Sequence, residues 1–95
     1  MNTKNFAHGF DAYHGDDDDT TPQKIDFAKS VAAGMSFVFL KAGQGRFTDH
    51  LFRENWAKAK TAGLLRGAYW WLTPDLSPQD QVALLMTQLG PDFGE

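Results

Sequence analysis

The chain has 95 residues, of which 42% are hydrophobic and 14% aromatic, and this composition excludes a disordered protein. Its net charge of −3 comes from one acidic run, Asp16 to Asp19, and no basic stripe predicts nucleic-acid binding. The chain contains no cysteine, which excludes disulfides and thiolate metal sites.

The first part of the chain predicts a strand, a loop and a short helix. Residues 5–13 are aromatic and broken by glycine, which indicates a first strand ending near Asp11. Residues 15–24 are polar and predict a loop. Residues 26–33 begin with an aspartate, a preferred N-cap residue, and predict a helix that Gly34 ends.

The middle of the chain repeats this alternation. Residues 35–40 are almost wholly apolar, as expected of a strand covered on both faces. A glycine-rich turn over residues 42–49 follows. Residues 51–62 carry an apolar stripe typical of a helix, and residues 64–71 predict the third strand.

The last predicted helix begins at Ser77 and Pro78, which are favourable N-cap and first-turn residues. Its apolar residues recur at helical spacing: Val82, Leu85, Met86 and Leu89. The resulting order, βαβαβα, predicts an α/β fold with a parallel sheet and right-handed crossovers.

Two further features bear on where the protein is made. No apolar run approaches the roughly 18 residues of a membrane-spanning helix. The first ten residues lack the apolar core of a secretory signal peptide. We therefore expect a chain made in the cytoplasm, with neither a membrane nor a nucleic acid as its partner.

Polar and aromatic side chains follow each predicted strand. Functional groups of parallel sheets gather beyond the carboxyl ends of the strands. Three clusters occupy such positions: Asp11 with Tyr13 and His14; Lys41 with Gln44; and Tyr69, Trp70 and Trp71 with Asp75. An acid, an amide and aromatic rings suit a sugar, because carboxylates stabilise oxocarbenium-like charge and flat rings stack on pyranose C–H surfaces.

Other interpretations of these residues stay open. Asp11 could cap a loop or pair with Lys41, and one of Trp70 and Trp71 is expected to face the covering helices. His14 beside the acidic run invites a calcium site. However, acidic runs are usually solvated loops, and the spacing of an EF-hand is absent, so we predict no metal site.

Four segments of the chain carry a family pattern: GFDAYHG (9–15), FVFLKAGQG (37–45), FRENWAKAKTAGLLRGAYWW (52–71) and GPDFGE (90–95). In their order and spacing these segments resemble glycoside hydrolase family 25, the Chalaropsis-type lysozymes. The resemblance implies an irregular TIM-like (β/α) barrel, of which residues 1–95 would be a single partial catalytic domain, the N-terminal half. It also implies an N-acetylmuramidase that needs no cofactor and cleaves the β-1,4 bond between N-acetylmuramic acid and N-acetylglucosamine in peptidoglycan. Such phage or bacterial enzymes act on the cell wall, either extracellularly or after release by phage lysis.

The resemblance also assigns roles to single residues. Asp11 matches the family's acid at the end of strand one and is the candidate catalytic residue. His14 matches the histidine three positions later, and Tyr69 matches a tyrosine that lines the sugar site. The candidate substrate-binding residues are Tyr69, Gln44, His14, Lys41 and Trp71.

Three departures from the family pattern matter. Gln44 stands where many members have a glutamate, so it cannot act as a base, and Gly15 replaces a usual aromatic residue. The family's Asp-x-Glu pair at the end of strand four has no counterpart in these 95 residues. Asp92 and Glu95 do not substitute, because they are three apart and no apolar strand surrounds them. Since glycoside hydrolysis normally needs two carboxyl groups, we expect the chain alone to be inactive.

Two other functions remain open, namely a non-catalytic peptidoglycan-binding module and a self-assembling half-barrel fragment. An open three-stranded sheet has bare edges and exposed apolar groups. We therefore expect that a C-terminal half chain or a homo-oligomer is needed to close the barrel around a peptidoglycan glycan strand.

Overall fold

The computed structural model describes residues 7–13 and 25–95, in which strands and helices alternate around a partly parallel sheet. The elements, in chain order, are β1 (His8–Ala12), α1 (Phe27–Ala32), β2 (Met35–Gln44), β3 (Phe47–Thr48), α2 (Phe52–Ala62), β4 (Leu65–Trp71) and α3 (Pro78–Leu89). The predicted α/β alternation is confirmed, and β3 is an additional strand. Within the described residues, no helix is long and apolar enough to cross a membrane.

Local hydrogen bonds explain where the helices begin and end. The Asp26 side chain accepts from the backbone N–H of Lys29 at 3.0 Å, and the Ser77 hydroxyl accepts from the N–H of Asp80 at 3.3 Å. Both are the predicted N-caps. α2 ends at Gly63, whose φ of +88° lies in the left-handed region that glycine adopts without strain.

The central strand of the sheet is β2. It pairs in parallel with β1 and with β4, and its end pairs antiparallel with β3. The predicted turn over residues 42–49 is therefore wrong in part, because β2 continues to Gln44 and the chain turns only at Gly45 and Arg46. This tight hairpin needs a positive φ, which Gly45 supplies at +55°. The sheet is consequently mixed rather than wholly parallel.

The helices cover one face of the sheet. On that face Val38, Leu40 and Ala42 of β2 are no more than 1% exposed. The helix residues that pack against them are Phe27, Phe52, Trp56 and Ala59. Burial of each large apolar side chain contributes roughly 1.5–3 kcal/mol, so this layer supplies the main hydrophobic stabilisation.

The opposite face of the sheet, called the open face below, is not covered by helices in the described part of the chain. Phe39 on this face is 50% exposed, so the expectation that residues 35–40 are covered on both sides is wrong for this structure. The ring of Phe37 lies over Gly9 and the ring of Phe39 lies over Gly67. Each ring lies so close that a Cβ atom at the glycine would overlap it.

α3 presents a more polar surface to the sheet than its apolar pattern predicts. Leu85 and Leu89 pack against the core, whereas Val82 and Met86 are 52% and 45% exposed. Gln81 is buried beside them because its amide group hydrogen-bonds the backbone of the loop that precedes the helix. The helix is thus oriented so that glutamine side chains, rather than Val82 and Met86, are buried against the rest of the protein.

A buried cation, Arg66, lies on β4 with only 3% of its surface exposed. Its guanidinium donates to both carboxylate oxygens of Asp92, at 2.9 and 3.1 Å, and to both oxygens of Glu95, at 2.9 and 3.1 Å. The same group donates to the Trp56 carbonyl at 3.2 Å and lies 4.3 Å from the centre of that ring. Asp92 and Glu95 therefore bind the segment after α3 to β4, a role that sequence reasoning missed.

This cluster makes the stability of the fold depend on pH. Hydrogen bonds from Arg66 hold the pKa of Asp92 and the pKa of Glu95 below their usual ranges. Because each folded-state pKa lies below its unfolded value, the stabilisation is complete above the unfolded values of about 4. It is lost as the pH falls through the folded values.

We predict that the double substitution Asp92→Asn and Glu95→Gln lowers the Tm near neutral pH, because it leaves the buried Arg66 cation without its two carboxylates. The difference from the wild-type Tm should shrink as the pH falls below about 4, where the wild-type carboxyls also become protonated. Circular dichroism melts across the pH range measure this difference. Glu54→Gln, which removes an exposed pair with Lys58, is the matched control and should leave the Tm nearly unchanged. A constant difference at every pH would contradict the assignment.

Candidate functional site

The strand register brings the predicted site residues together on the open face, at the carboxyl ends of β1, β2 and β4. Asp11 lies opposite Phe39 in the register, and Lys41 lies opposite Tyr69. Since side chains alternate along a strand, Asp11, Phe39 and Lys41 share this face. Tyr13 follows β1 on the same side, and its ring contacts Lys41.

A bulge at Ala42 shapes the end of β2. Lys41 pairs with Tyr69 and Gly43 with Trp70, so Ala42 is an extra residue in the ladder. In a regular strand, Lys41 and Gln44 would point to opposite faces because they are three apart. The bulge turns Gln44 to the open face, where the Lys41 Nζ atom donates a hydrogen bond to its Oε1 atom.

Lys41 occupies the centre of this cluster and is 9% exposed. Its Nζ atom lies 5.3 Å from the ring centre of Tyr13 and 5.4 Å from that of Trp71, both within cation–π distance. No ion pair joins Lys41 to Asp11, so that alternative partner is not the one observed in the structure. Trp71 is 64% exposed, which leaves much of its ring available to a ligand.

Gln88 of α3 supports the bulge from the helix side. Its Nε2 atom donates to the carbonyl oxygen of Ala42 at 3.0 Å and to that of Asp49 at 3.1 Å. The N–H of Asp49 also donates to the Ala42 carbonyl, at 2.9 Å. Sequence reasoning missed Gln88. A signal was present, because Gln81 and Gln88 are seven residues apart and so lie on the same side of the helix as Leu85.

The other predicted residues have separate locations. Trp70 packs against the core while Trp71 faces out, as expected for one of the two. Asp75 is exposed in the loop between β4 and α3. His14 and the acidic run from Asp16 to Asp19 lie outside the described residues. Within residues 7–13 and 25–95, no three potential ligands come together as a metal site.

An open pocket adjoins Lys41 and Gln44 at the end of β2. Its other walls come from β2, from β3 and from the two residues after β3, namely Gly43, Phe47, Thr48, Asp49 and His50. Phe47 is 76% exposed at its rim. The pocket extends the polar and aromatic surface beyond the strand ends.

Comparison with known proteins connects this chain to one family. The family model described as Glycosyl hydrolases family 25 matches residues 18–91. The chain is 35% identical over 88 residues to YegX, an uncharacterized protein of Escherichia coli K12, covering 86% of the chain and 32% of YegX. It is 39% identical over 54 residues to Lysozyme M1 of Streptomyces globisporus, covering 56% of the chain and 18% of that lysozyme.

Solved structures show the same likeness. A bacterial lysozyme from Streptomyces coelicolor superposes with a TM-score of 0.71 and 31% identity, over 83% of this chain and 35% of that one. A family 25 glycosyl hydrolase from Bacillus anthracis gives a TM-score of 0.78 over 92% of this chain and 38% of that one. Because the two sequences are only 24% identical, this likeness supports the fold alone. The chain therefore spans between 18% and 38% of the length of these relatives.

We predict that Gln88→Met destabilises the fold by about 1–3 kcal/mol, because it removes a buried donor from two backbone carbonyl groups. The β2–β3 hairpin should loosen with it, which amide hydrogen exchange at Gly43 and Asp49 would report. Gln79→Met makes the same change at an exposed position of α3 and serves as the control. Equal denaturation midpoints for the two variants would contradict this role for Gln88.

Proposed function

The chain belongs to glycosyl hydrolase family 25, and we propose that it is part of the catalytic domain of a cell-wall lytic N-acetylmuramidase. The substrate is the glycan strand of peptidoglycan. The bond cleaved is the β-1,4 linkage between N-acetylmuramic acid and N-acetylglucosamine. In this proposal residues 1–95 form the N-terminal part of a TIM-like barrel, and the protein acts on the wall outside the cell or after release by phage lysis.

The observation that carries the proposal is the grouping of Asp11 with aromatic, amide and ammonium groups on one face of the sheet. Glycoside hydrolysis proceeds through an oxocarbenium-like transition state, which a nearby carboxylate stabilises. Asp11 is the only carboxyl-bearing residue on the four described strands. We assign it the role of stabilising the developing positive charge or of holding the reacting sugar.

The surrounding residues suit the binding of a sugar ring. Trp71 offers an exposed aromatic surface that can stack on pyranose C–H groups, and Tyr69 lies next to it on β4 to position the N-acetyl group. Gln44 and Lys41 supply polar hydrogens for ring hydroxyls. His14 is assigned to the substrate-binding set by family resemblance alone.

The same geometry explains why we propose that this chain is inactive alone. Hydrolysis normally needs one carboxyl group as a general acid and a second as a base or nucleophile. The described strands contribute a single carboxyl group, and we propose that the proton donor to the leaving oxygen comes from another part of the domain. In the family pattern this donor is the glutamate of the strand-four pair.

The open face supports a need for further elements. Phe39 and Leu65 on this face are 50% and 57% exposed, and Phe93, which lines a pocket with them, is 60% exposed. Such a set of apolar side chains is typical of a surface that another element covers. We propose that a C-terminal part of the domain, or another copy of the chain, covers it. Assembly without catalysis is the second candidate function, and these exposed side chains are the observation that favours it.

We predict that Asp11→Asn, made in a version extended to the full family length, lowers muramidase turnover by orders of magnitude, because the amide cannot stabilise positive charge. Release of reducing sugars from purified cell walls measures this. Asp80→Asn changes an exposed carboxylate at the start of α3 and should leave turnover unaltered. Full activity of the Asp11 variant would exclude the proposed role.

We also predict that the chain of 95 residues neither lyses purified cell walls nor remains monomeric in light scattering. Leu65→Ser should reduce association because it removes an exposed apolar group from the open face. Val31→Ser, at a 39% exposed position of α1 on the helix side, is the control. Lysis by the chain alone would overturn the proposal that it is catalytically incomplete.

A further inference from the structure

Lys41 is a buried cation with a neutral partner. Only 9% of the residue is exposed, and within residues 7–13 and 25–95 its Nζ atom donates a hydrogen bond to the amide oxygen of Gln44 alone. Among the described residues, none of the ion pairs involves this lysine. Arg66, the other buried cation, differs in having two carboxylate partners. Removal of a charge from water is unfavourable unless an opposite charge or strong hydrogen bonds compensate for it.

The rings of Tyr13 and Trp71 compensate for part of this cost. Each lies close enough to attract the ammonium group, and together they hold Nζ in a fixed position between β1 and β4. One Nζ hydrogen is used by Gln44, which leaves donors for a further acceptor. The group also borders the open pocket at the end of β2.

Gln44 is arranged to assist the same acceptor. Its Oε1 atom accepts from Lys41, so its Nε2 amide hydrogens are directed away from the lysine. The residue is exposed, and it lines the pocket together with Thr48. A fixed ammonium group beside a free amide donor is suited to a carboxylate, which accepts through two oxygens.

We propose that Lys41 and Gln44 form a subsite for a carboxylate carried by the bound saccharide. This inference rests on the proposed function, since it is the glycan strand that brings the carboxylate to the open face. The carboxylate has two possible sources, the lactyl group of muramic acid in strands without peptide, or the peptide attached to that lactyl group. In either case the subsite distinguishes muramic acid residues from N-acetylglucosamine, which has no carboxylate.

The test is a titration of the 95-residue chain with three saccharides, followed by tryptophan fluorescence and calorimetry. N-acetylglucosamine carries no carboxylate, N-acetylmuramic acid carries the lactyl carboxylate, and N-acetylmuramoyl-L-alanyl-D-isoglutamine carries only a peptide carboxylate. We expect at least one carboxylated saccharide to bind roughly tenfold more tightly than N-acetylglucosamine at low salt, and the advantage to shrink as salt screens the charge. The tighter of the two identifies the source.

Two variants assign the preference to this subsite. Lys41→Met removes the charge and keeps the length of the side chain. Gln44→Glu keeps Lys41 but places a carboxylate beside its ammonium group, which neutralises the charge. Because position 44 is exposed, this variant tests the proposal even if the Lys41→Met variant fails to fold. Both should bind the three saccharides with equal affinity, because the preference for a carboxylate is lost. Lys58→Met, an exposed change of the same charge on α2, should keep the preference.

The outcomes separate the two proposals. Equal binding of all three saccharides by the wild-type chain overturns the carboxylate subsite and leaves the glycan-binding proposal standing. No binding of any saccharide overturns both for this chain. A preference that persists in Gln44→Glu, and in Lys41→Met where that variant folds, also overturns the subsite, because the charge recognised would then lie elsewhere.

Discussion

The irregular end of β2 is the feature on which the candidate site depends. The central strand β2 has to pair with β1 and β4 along its length, and the side chains of Lys41 and Gln44 both have to lie on the open face. One extra residue, Ala42, reconciles these demands by shifting the register at a single point. The buried amide of Gln88 adds a second donor to the carbonyl groups of Ala42 and Asp49 at this irregularity. Helix packing and site geometry are thus joined through one side chain.

The two buried cations of the sheet show how the same physical problem has two different solutions. On the helix side, Arg66 is neutralised by carboxylates from the segment after α3, and the charge contributes to holding that segment against β4. On the open face, Lys41 has aromatic and amide neighbours instead. Full neutralisation gives a structural contact. Incomplete neutralisation leaves a group with remaining capacity to bind, at some cost in stability.

Much of the fold could be predicted from the sequence because local chemistry determines it. The N-caps at Asp26 and Ser77 and the glycine at 63 mark helix ends through hydrogen bonds and backbone preferences that act over a few residues. The strand ends could likewise be predicted to converge, and the register places Asp11, Lys41 and Trp71 on one face of the sheet. The bulge, the hairpin and the partners of Arg66 could not be predicted, because they depend on contacts between distant segments. In addition, Gly43 and Gly45 give residues 42–49 the composition of a simple turn.

The pairing of Phe37 with Gly9 and of Phe39 with Gly67 has an evolutionary consequence. Each ring occupies the space that a side chain on the neighbouring strand would need. The two members of a pair are therefore not free to change independently. A larger residue at position 9 or 67 requires a smaller one at 37 or 39, so the effects of the single changes will not add. Among homologues these positions should covary, with aromatic residues opposite glycine replaced together by pairs of intermediate size.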